Sequence, residues 1–105
     1  MYSVLLTLGN RAMHGYGIIV DFEARTGQEG VLLPGSLYNT IARMLTISLI
    51  EEVDPPEAAE DRRKRYYRAT ELGLRVARAE SERLRGLLRL ADDQRLADEP
   101  PAQAG

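Results

Sequence analysis

Apolar residues in this chain recur mostly at helical spacing, interrupted once by a stretch with strand character. Met1 to Gly9 is largely apolar and ends at Gly9-Asn10, a pair suited to left-handed helix termination. A short first helix is predicted there. From Gly15 to Thr26 the apolar residues Ile18, Ile19 and Phe22 fall on one helical face, and Gly27 supplies the stop. Gln28 to Leu33 reads as a turn followed by a short β-like piece. Pro34 suits the first turn of a third helix, expected to run to about Ile47. In it Leu37, Ile41, Met44 and Leu45 stand at i, i+4, i+7 and i+8, which is one buried stripe. Ile50 to Asp54 and Lys64 to Ala69 are strand-like. Between them lie Pro55-Pro56 and an acidic stretch, so a hairpin with a long loop is expected. Thr70 is a good N-cap and Glu71 favours the start of the helix dipole. The final helix should extend from Glu71 to the region of Leu96, about 38 Å.

The order helix, helix, helix, hairpin, helix defines a mainly α chain with a small β-hairpin wing. It is the layout of a winged helix-turn-helix domain with a long helix appended. The expected division is 1–70 for that domain, 71–97 for the C-terminal helix and 98–105 for a flexible tail containing Pro100-Pro101. On the long helix Ala77, Leu84 and Ala91 repeat every seven residues, with Leu87 and Leu88 in a second row beside them. Arg78, Arg85 and Arg89 occupy the opposite side. Such a stripe either folds back on its own domain or pairs with a second copy. Three helices already fill a winged-helix core, so pairing is the expected outcome and the chain is expected to be a homodimer.

Composition narrows the function. A chain of 105 residues with 44% hydrophobic and 29% charged residues suits one globular domain with a modest core. There is no cysteine, which removes disulfides and thiolate metal sites and agrees with a reducing compartment. His14 is the single histidine, so it fits a helix start better than a metal cage or a catalytic site, and no cofactor is expected. The apolar start is too short for a membrane span, so a soluble, cytoplasmic protein is expected. The formal net charge of −2 lowers the expectation of a nucleic-acid partner. Its distribution restores it, because Arg62-Arg63-Lys64-Arg65 and Arg68 form a local basic run.

Four segments in register resemble the PadR family of bacterial transcriptional repressors: His14-Gly15-Tyr16-Gly17-Ile18, Pro34-Gly35-Ser36-Leu37-Tyr38, Leu49-Ile50-Glu51-Glu52 and Arg65-Tyr66-Tyr67-Arg68-Ala69-Thr70-Glu71-Leu72-Gly73. The resemblance extends from about Leu5 into the final helix. It implies a homodimer joined through the C-terminal helix, often helped by the first helix. It also implies repression of a nearby promoter, commonly relieved by a small aromatic or hydrophobic effector. Tyr38 matches the family's tyrosine position, implying a phosphate contact through its hydroxyl. Two departures stand out. Ser48 replaces the glycine that usually ends the third helix in left-handed geometry, a substitution that costs about 1 kcal/mol or more. The wing loop is acidic, with Glu57, Glu60 and Asp61, and an acidic tip is repelled by a minor groove.

The other face of the third helix carries the candidate chemistry. Ser36, Asn39, Thr40 and Arg43 are all hydrogen-bonding side chains and only one is charged, unlike a solvated face rich in Glu and Lys. Asn39 and Arg43 suit bidentate reading of adenine and guanine edges in the major groove. Ser36 and Thr40 suit bases or phosphates. Arg62, Arg63, Lys64 and Arg65 are the candidate phosphate contacts, together with the amides that open the second helix near Gly15 and Tyr16. Each has a plainer alternative: the basic run as a solvated hairpin paired with the acids before it, the polar helix face as inert surface. For Tyr66 and Tyr67, packing in the sheet is favoured over ligand contact.

A dimeric regulator of transcription acting on an inverted-repeat duplex is therefore the leading expectation. The alternative is a winged-helix protein-interaction module that does not bind DNA specifically, supported by the acidic charge balance and acidic wing loop. Within the DNA-binding class, a MarR-like regulator and a non-specific architectural protein also remain open. No nucleophile elbow, phosphate loop or metal-ligand set is present, and the adjacent Glu51 and Glu52 would point to opposite faces of a strand, so an enzyme is not expected.

Overall fold

The computed structural model describes residues 1–96, so the expected tail 98–105 and the end of segment 71–97 lie outside the described residues. Four helices and three strands follow in the order α1 (Tyr2–Leu8), β1 (Met13–His14), α2 (Gly15–Thr26), α3 (Pro34–Thr46), β2 (Ile50–Val53), β3 (Tyr66–Ala69) and α4 (Glu71–Asp93). The strands form one antiparallel sheet in the order β1-β3-β2. Ile50 faces Ala69 and Val53 faces Tyr66 across the hairpin, while Met13 and His14 pair with Tyr67 and Tyr66 on the other edge.

The hairpin is thus part of a three-stranded sheet. The β-like piece expected within Gln28–Leu33 does not form; the extra strand is Met13–His14 instead. The sheet edge beside β3 is reached by the chain before α2, and residues 28–33 form turns and bends on the helical side. There Leu32 packs against the core as a plug. Gly30, at φ 76°, turns the chain. A two-residue strand leaves no alternation in the sequence to detect.

Val4, Leu5 and Leu8 of α1, Ile18 and Ile19 of α2, and Leu37, Ile41 and Met44 of α3 close over the inner face of the sheet, where Leu49, Ile50, Tyr67 and Ala69 complete the core. Leu45 is half-buried at its margin. The two tyrosines of β3 point to opposite faces, as neighbours in a strand must. Tyr67 enters the helical core, whereas Tyr66 meets the edge of the His14 ring at 5.4 Å between centroids. The Tyr66 hydroxyl donates to the Asp61 carbonyl of the wing loop at 3.2 Å.

The exit from α3 is a Schellman turn built on serine. Ser48 has φ 62°. The Leu49 N–H donates to the Met44 carbonyl at 2.9 Å, and the Ser48 N–H to the Leu45 carbonyl at 3.1 Å. Both orphan carbonyls are satisfied, so the missing glycine changes the energy of the turn and leaves its geometry intact.

That turn is clamped to the start of α4. The Thr70 hydroxyl donates to the Ser48 carbonyl at 2.6 Å and accepts from the Gly73 N–H at 3.0 Å. The Thr70 N–H donates to the Leu49 carbonyl at 3.1 Å. A side chain at Gly73 would place its Cβ 2.0 Å from the same Leu49 oxygen. Only glycine lets α4 approach this closely. Gly73, Leu74 and Ala77 then lie against the domain, and the Ser81 hydroxyl meets the Tyr2 hydroxyl at 2.8 Å. Helix α4 ends at Asp93, short of Leu96, with Gln94 as its C-cap.

Two substitutions test the clamp from opposite sides. Gly73→Ala should lower stability by roughly 2–4 kcal/mol through the backbone clash. Ser48→Gly should raise it by about 1 kcal/mol by relieving left-handed strain. Urea denaturation of both variants reads the two signs directly.

Candidate nucleic-acid interface

The buried stripe of α3 fixes which of its residues face outward. At about 100° per residue, the direction opposite Leu37, Ile41 and Met44 runs between Asn39 and Thr46, with Gly35, Ala42 and Arg43 on either side. All five are exposed. Asn39 and Arg43, the expected base readers, therefore stand in the central part of the outward arc. Ser36 is exposed on one flank. Thr40 is half-buried in a recess shared with Met1, Val4, Val31 and Leu32, which turns it away from the centre of the face.

Tyr38 lies on the opposite flank and joins a second group of residues. Its ring covers the start of α2, where a Cβ on Gly15 would fall 2.9 Å from Tyr38 Cε1 and 3.1 Å from its hydroxyl oxygen. Glycine at position 15 is what permits that contact. Tyr38, the His14-Gly15-Tyr16 segment, Lys64, Arg65 and Tyr67 line a cleft of about 410 Å³. One wall is the N-terminus of α2, whose first amides have no partner within the helix. Lys64 Nζ lies 5.8 Å from the centre of the Tyr16 ring. Helix-opening amides, a phenol and two cations make a surface suited to a phosphate oxyanion.

The four basic candidates of the wing divide evenly. Lys64 and Arg65 line this cleft. Arg62 instead donates to the Pro56 carbonyl at 2.8 Å, and Arg63 pairs with Asp61 at 3.3 Å. Asp61 is held below the usual carboxylate pKa, chiefly by the backbone N–H of Arg63 and then by its guanidinium. Arg62 and Arg63 thus both contact the wing loop, Arg62 through a carbonyl and Arg63 through an acid. Arg68 pairs across the sheet with Glu51 at 2.7 Å.

His14 caps α2: its Nδ1 accepts from the Gly17 N–H at 3.0 Å. An acceptor nitrogen is an unprotonated one, so the cap requires the neutral imidazole. Burial and the neighbouring Lys64 hold the His14 pKa below its ordinary value, against the opposing pull of Asp61. Spacing at Gly17 also matters, since a Cβ there would lie 3.2 Å from His14 Cε1.

On α4 the proposed pairing positions do not share one environment. Ala77 packs against the chain's own core. Leu84, Leu87 and Leu88 are 37%, 51% and 54% exposed, enough for a large apolar surface on the distal half. Ala91 is half-buried. Among the described residues no helix is long and apolar enough to cross a membrane.

Three helices, with the third presenting a polar arc beside a basic wing, make this a winged helix-turn-helix protein. The profile of the transcriptional regulator PadR-like family matches residues 4–79, and the chain belongs to that family. Solved structures with the same fold include a PadR family transcription regulator from Clostridium difficile R20291, with a TM-score of 0.72, 21% identity and coverage of 88% of this chain and 93% of that one. A PadR-like transcriptional regulator from Bacillus cereus gives a TM-score of 0.70 at 20% identity, covering 93% and 91%. Bacillus subtilis PadR in complex with operator DNA gives 0.61 at 19% identity, covering 74% of this chain and 43% of that one. Among curated protein sequences none matches significantly.

The geometry around His14 and α3 yields two expectations. Because the folded-state pKa of His14 is lowered, its contribution to stability is complete above the unfolded value of 6.5 and is lost as pH falls through the folded pKa. His14→Asn keeps a capping acceptor without a proton to gain, so its denaturation midpoint should fall less than wild type between pH 7.5 and 5.5. Arg43→Ala should cost about 1–3 kcal/mol of DNA affinity and blur one base position, whereas Lys64→Ala should weaken all sequences alike. Binding isotherms on matched and scrambled duplexes separate the two effects.

Proposed function

We propose that this chain is a sequence-specific, homodimeric DNA-binding regulator that represses transcription from an inverted-repeat operator. One observation carries the reading: Asn39 and Arg43 stand on the outward arc of α3, flanked by the cleft of Tyr38, Lys64, Arg65 and the α2 amides. Base readers beside phosphate holders are what recognition of a duplex requires. The presence of operator DNA in the Bacillus subtilis PadR structure supports the same partner. Residues 1–70 would contact DNA, with Ser36 at the edge of the groove and Thr40 contributing only from its flank. Arg62 and Arg63 would act by shaping the wing and by long-range attraction.

Pairing through α4 supports the dimer. The face that packs on the domain through Gly73, Leu74, Ala77 and Ser81 continues distally as Leu84, Leu88 and Ala91, with Leu87 beside it. The proximal part is satisfied within the chain; the distal part is left for a second copy, so α4 (Glu71–Asp93), within the expected segment 71–97, would serve as the dimerisation helix. Such a dimer would place two α3 helices about 34 Å apart on one face of the duplex.

A small hydrophobic or aromatic effector would relieve repression from a groove of about 500 Å³ between α1 and α4, with an apolar side of Leu5, Leu6, Leu74 and Ala77 and a polar rim that includes Arg78, Glu82 and Arg85. A ligand there would bear on the angle between the DNA-binding domain and the pairing helix.

Selection of bound sequences from a random duplex library at low and moderate salt tests the central claim. Recovery of an inverted repeat supports it. Salt-steep binding with no motif indicates an architectural role, and no binding at either salt indicates a protein-interaction module. Leu84→Asp should halve the solution mass by light scattering, and an unchanged mass rejects pairing through α4.

A further inference from the structure

The outward arc of α3 changes character along its length. Its first half is polar through Ser36 and Asn39, but beyond Arg43 it turns apolar. Ala42, Arg43, Thr46 and Ile47 line a shallow exposed recess of about 380 Å³. Thr46 belongs to the apolar part despite its hydroxyl, because Oγ1 donates to the Ala42 carbonyl at 3.0 Å. With its donor turned back onto the helix, the group it offers outward is its γ-methyl. Ile47 is 49% exposed and extends the apolar surface at the end of the helix. None of these residues belongs to the buried core, so their methyl groups are open to a partner.

Resting on the DNA-binding reading above, we infer that Ala42 and Thr46, with Ile47 at the shoulder, recognise the C5-methyl groups of thymine in the major groove. The patch adjoins Arg43 and Asn39 on the same arc, so a helix placing those side chains on base edges brings the methyl groups to neighbouring base pairs. Thymine is the base whose major-groove edge carries a methyl group, and alanine and threonine methyls are its usual apolar partners. The helix rises about 1.5 Å per residue, which sets Thr46 roughly 10 Å along the axis from Asn39. The half-site should therefore contain thymine displaced from the position read by Asn39, next to the guanine read by Arg43.

The experiment uses the full chain and the duplexes recovered by selection, with deoxyuridine replacing thymidine one position at a time, which deletes only the C5-methyl. Wild type should lose about fourfold in affinity at one or two positions per half-site. Thr46→Ser, lacking the methyl but keeping the hydroxyl, should bind the thymine and uracil duplexes equally at one such position. Thr46→Val should retain the discrimination. Arg43→Ala should lose its guanine preference and keep the methyl effect. Sequence-specific binding that is indifferent to uracil at every position overturns this inference and leaves the DNA-binding reading standing. Failure to select any duplex overturns both.

Discussion

The Thr70 hydroxyl sits between two stretches of chain that the fold holds together: the turn leaving α3 and the first turn of α4. It donates to one and accepts from the other, while Gly73 lets the two backbones close to a distance no side chain would tolerate. The helix expected to enter DNA and the helix expected to join two copies are thereby referred to a single point. Their junction is fixed by the Thr70 hydroxyl, one backbone hydrogen bond and the close approach at Gly73. The strained Ser48 stands inside this clamp. Its left-handed geometry is maintained because the Schellman hydrogen bonds and the Thr70 contact over-determine the turn.

A second consequence of close approach is the cleft beside α2. Gly15 admits the Tyr38 ring, and Gly17 leaves room for the His14 imidazole to cap the helix. Removing either glycine's freedom would push an aromatic group outward and disturb the wall that Lys64 and Arg65 complete. Charge is distributed with similar economy. Two of the four cations of the wing neutralise or brace its acidic loop, and the other two face the cleft. A chain of net charge −2 thus gathers Lys64 and Arg65 in one cleft. Of the loop's acids, Asp61 is engaged by the neighbouring Arg63.

Much of this was legible beforehand, for reasons that differ by element. Helix α2 is marked at both ends, by the capping His14 and by Gly27 in left-handed geometry at φ 69°, and its bounds coincide with the expectation. Helix α3 is marked by Pro34 and by its apolar stripe. Strand β1 was not legible, because two residues show no alternation and their partner lies more than fifty positions away. The split among Arg62 to Arg65 was hidden for a related reason: adjacent residues in a loop share composition but not direction. Thr40 and Ala42 show the same limit on a helix. Periodicity placed Thr40 on the polar face, yet packing of α1 and the 31–32 segment covers it and leaves Ala42 in the open.

By itself the sequence determined the order and type of the main elements, the apolar stripes of α3 and α4, and membership in the PadR-like family. These are local or nearly local properties, carried by spacing, caps and turn residues, and they survive whatever the chain packs against. Only the tertiary structure decided which cations line the cleft, which half of α4 is already satisfied, and which residues stand at the middle of the outward arc of α3. Those outcomes depend on contacts between segments far apart in the chain. Burial and direction at each position are set by neighbours that the local sequence does not contain.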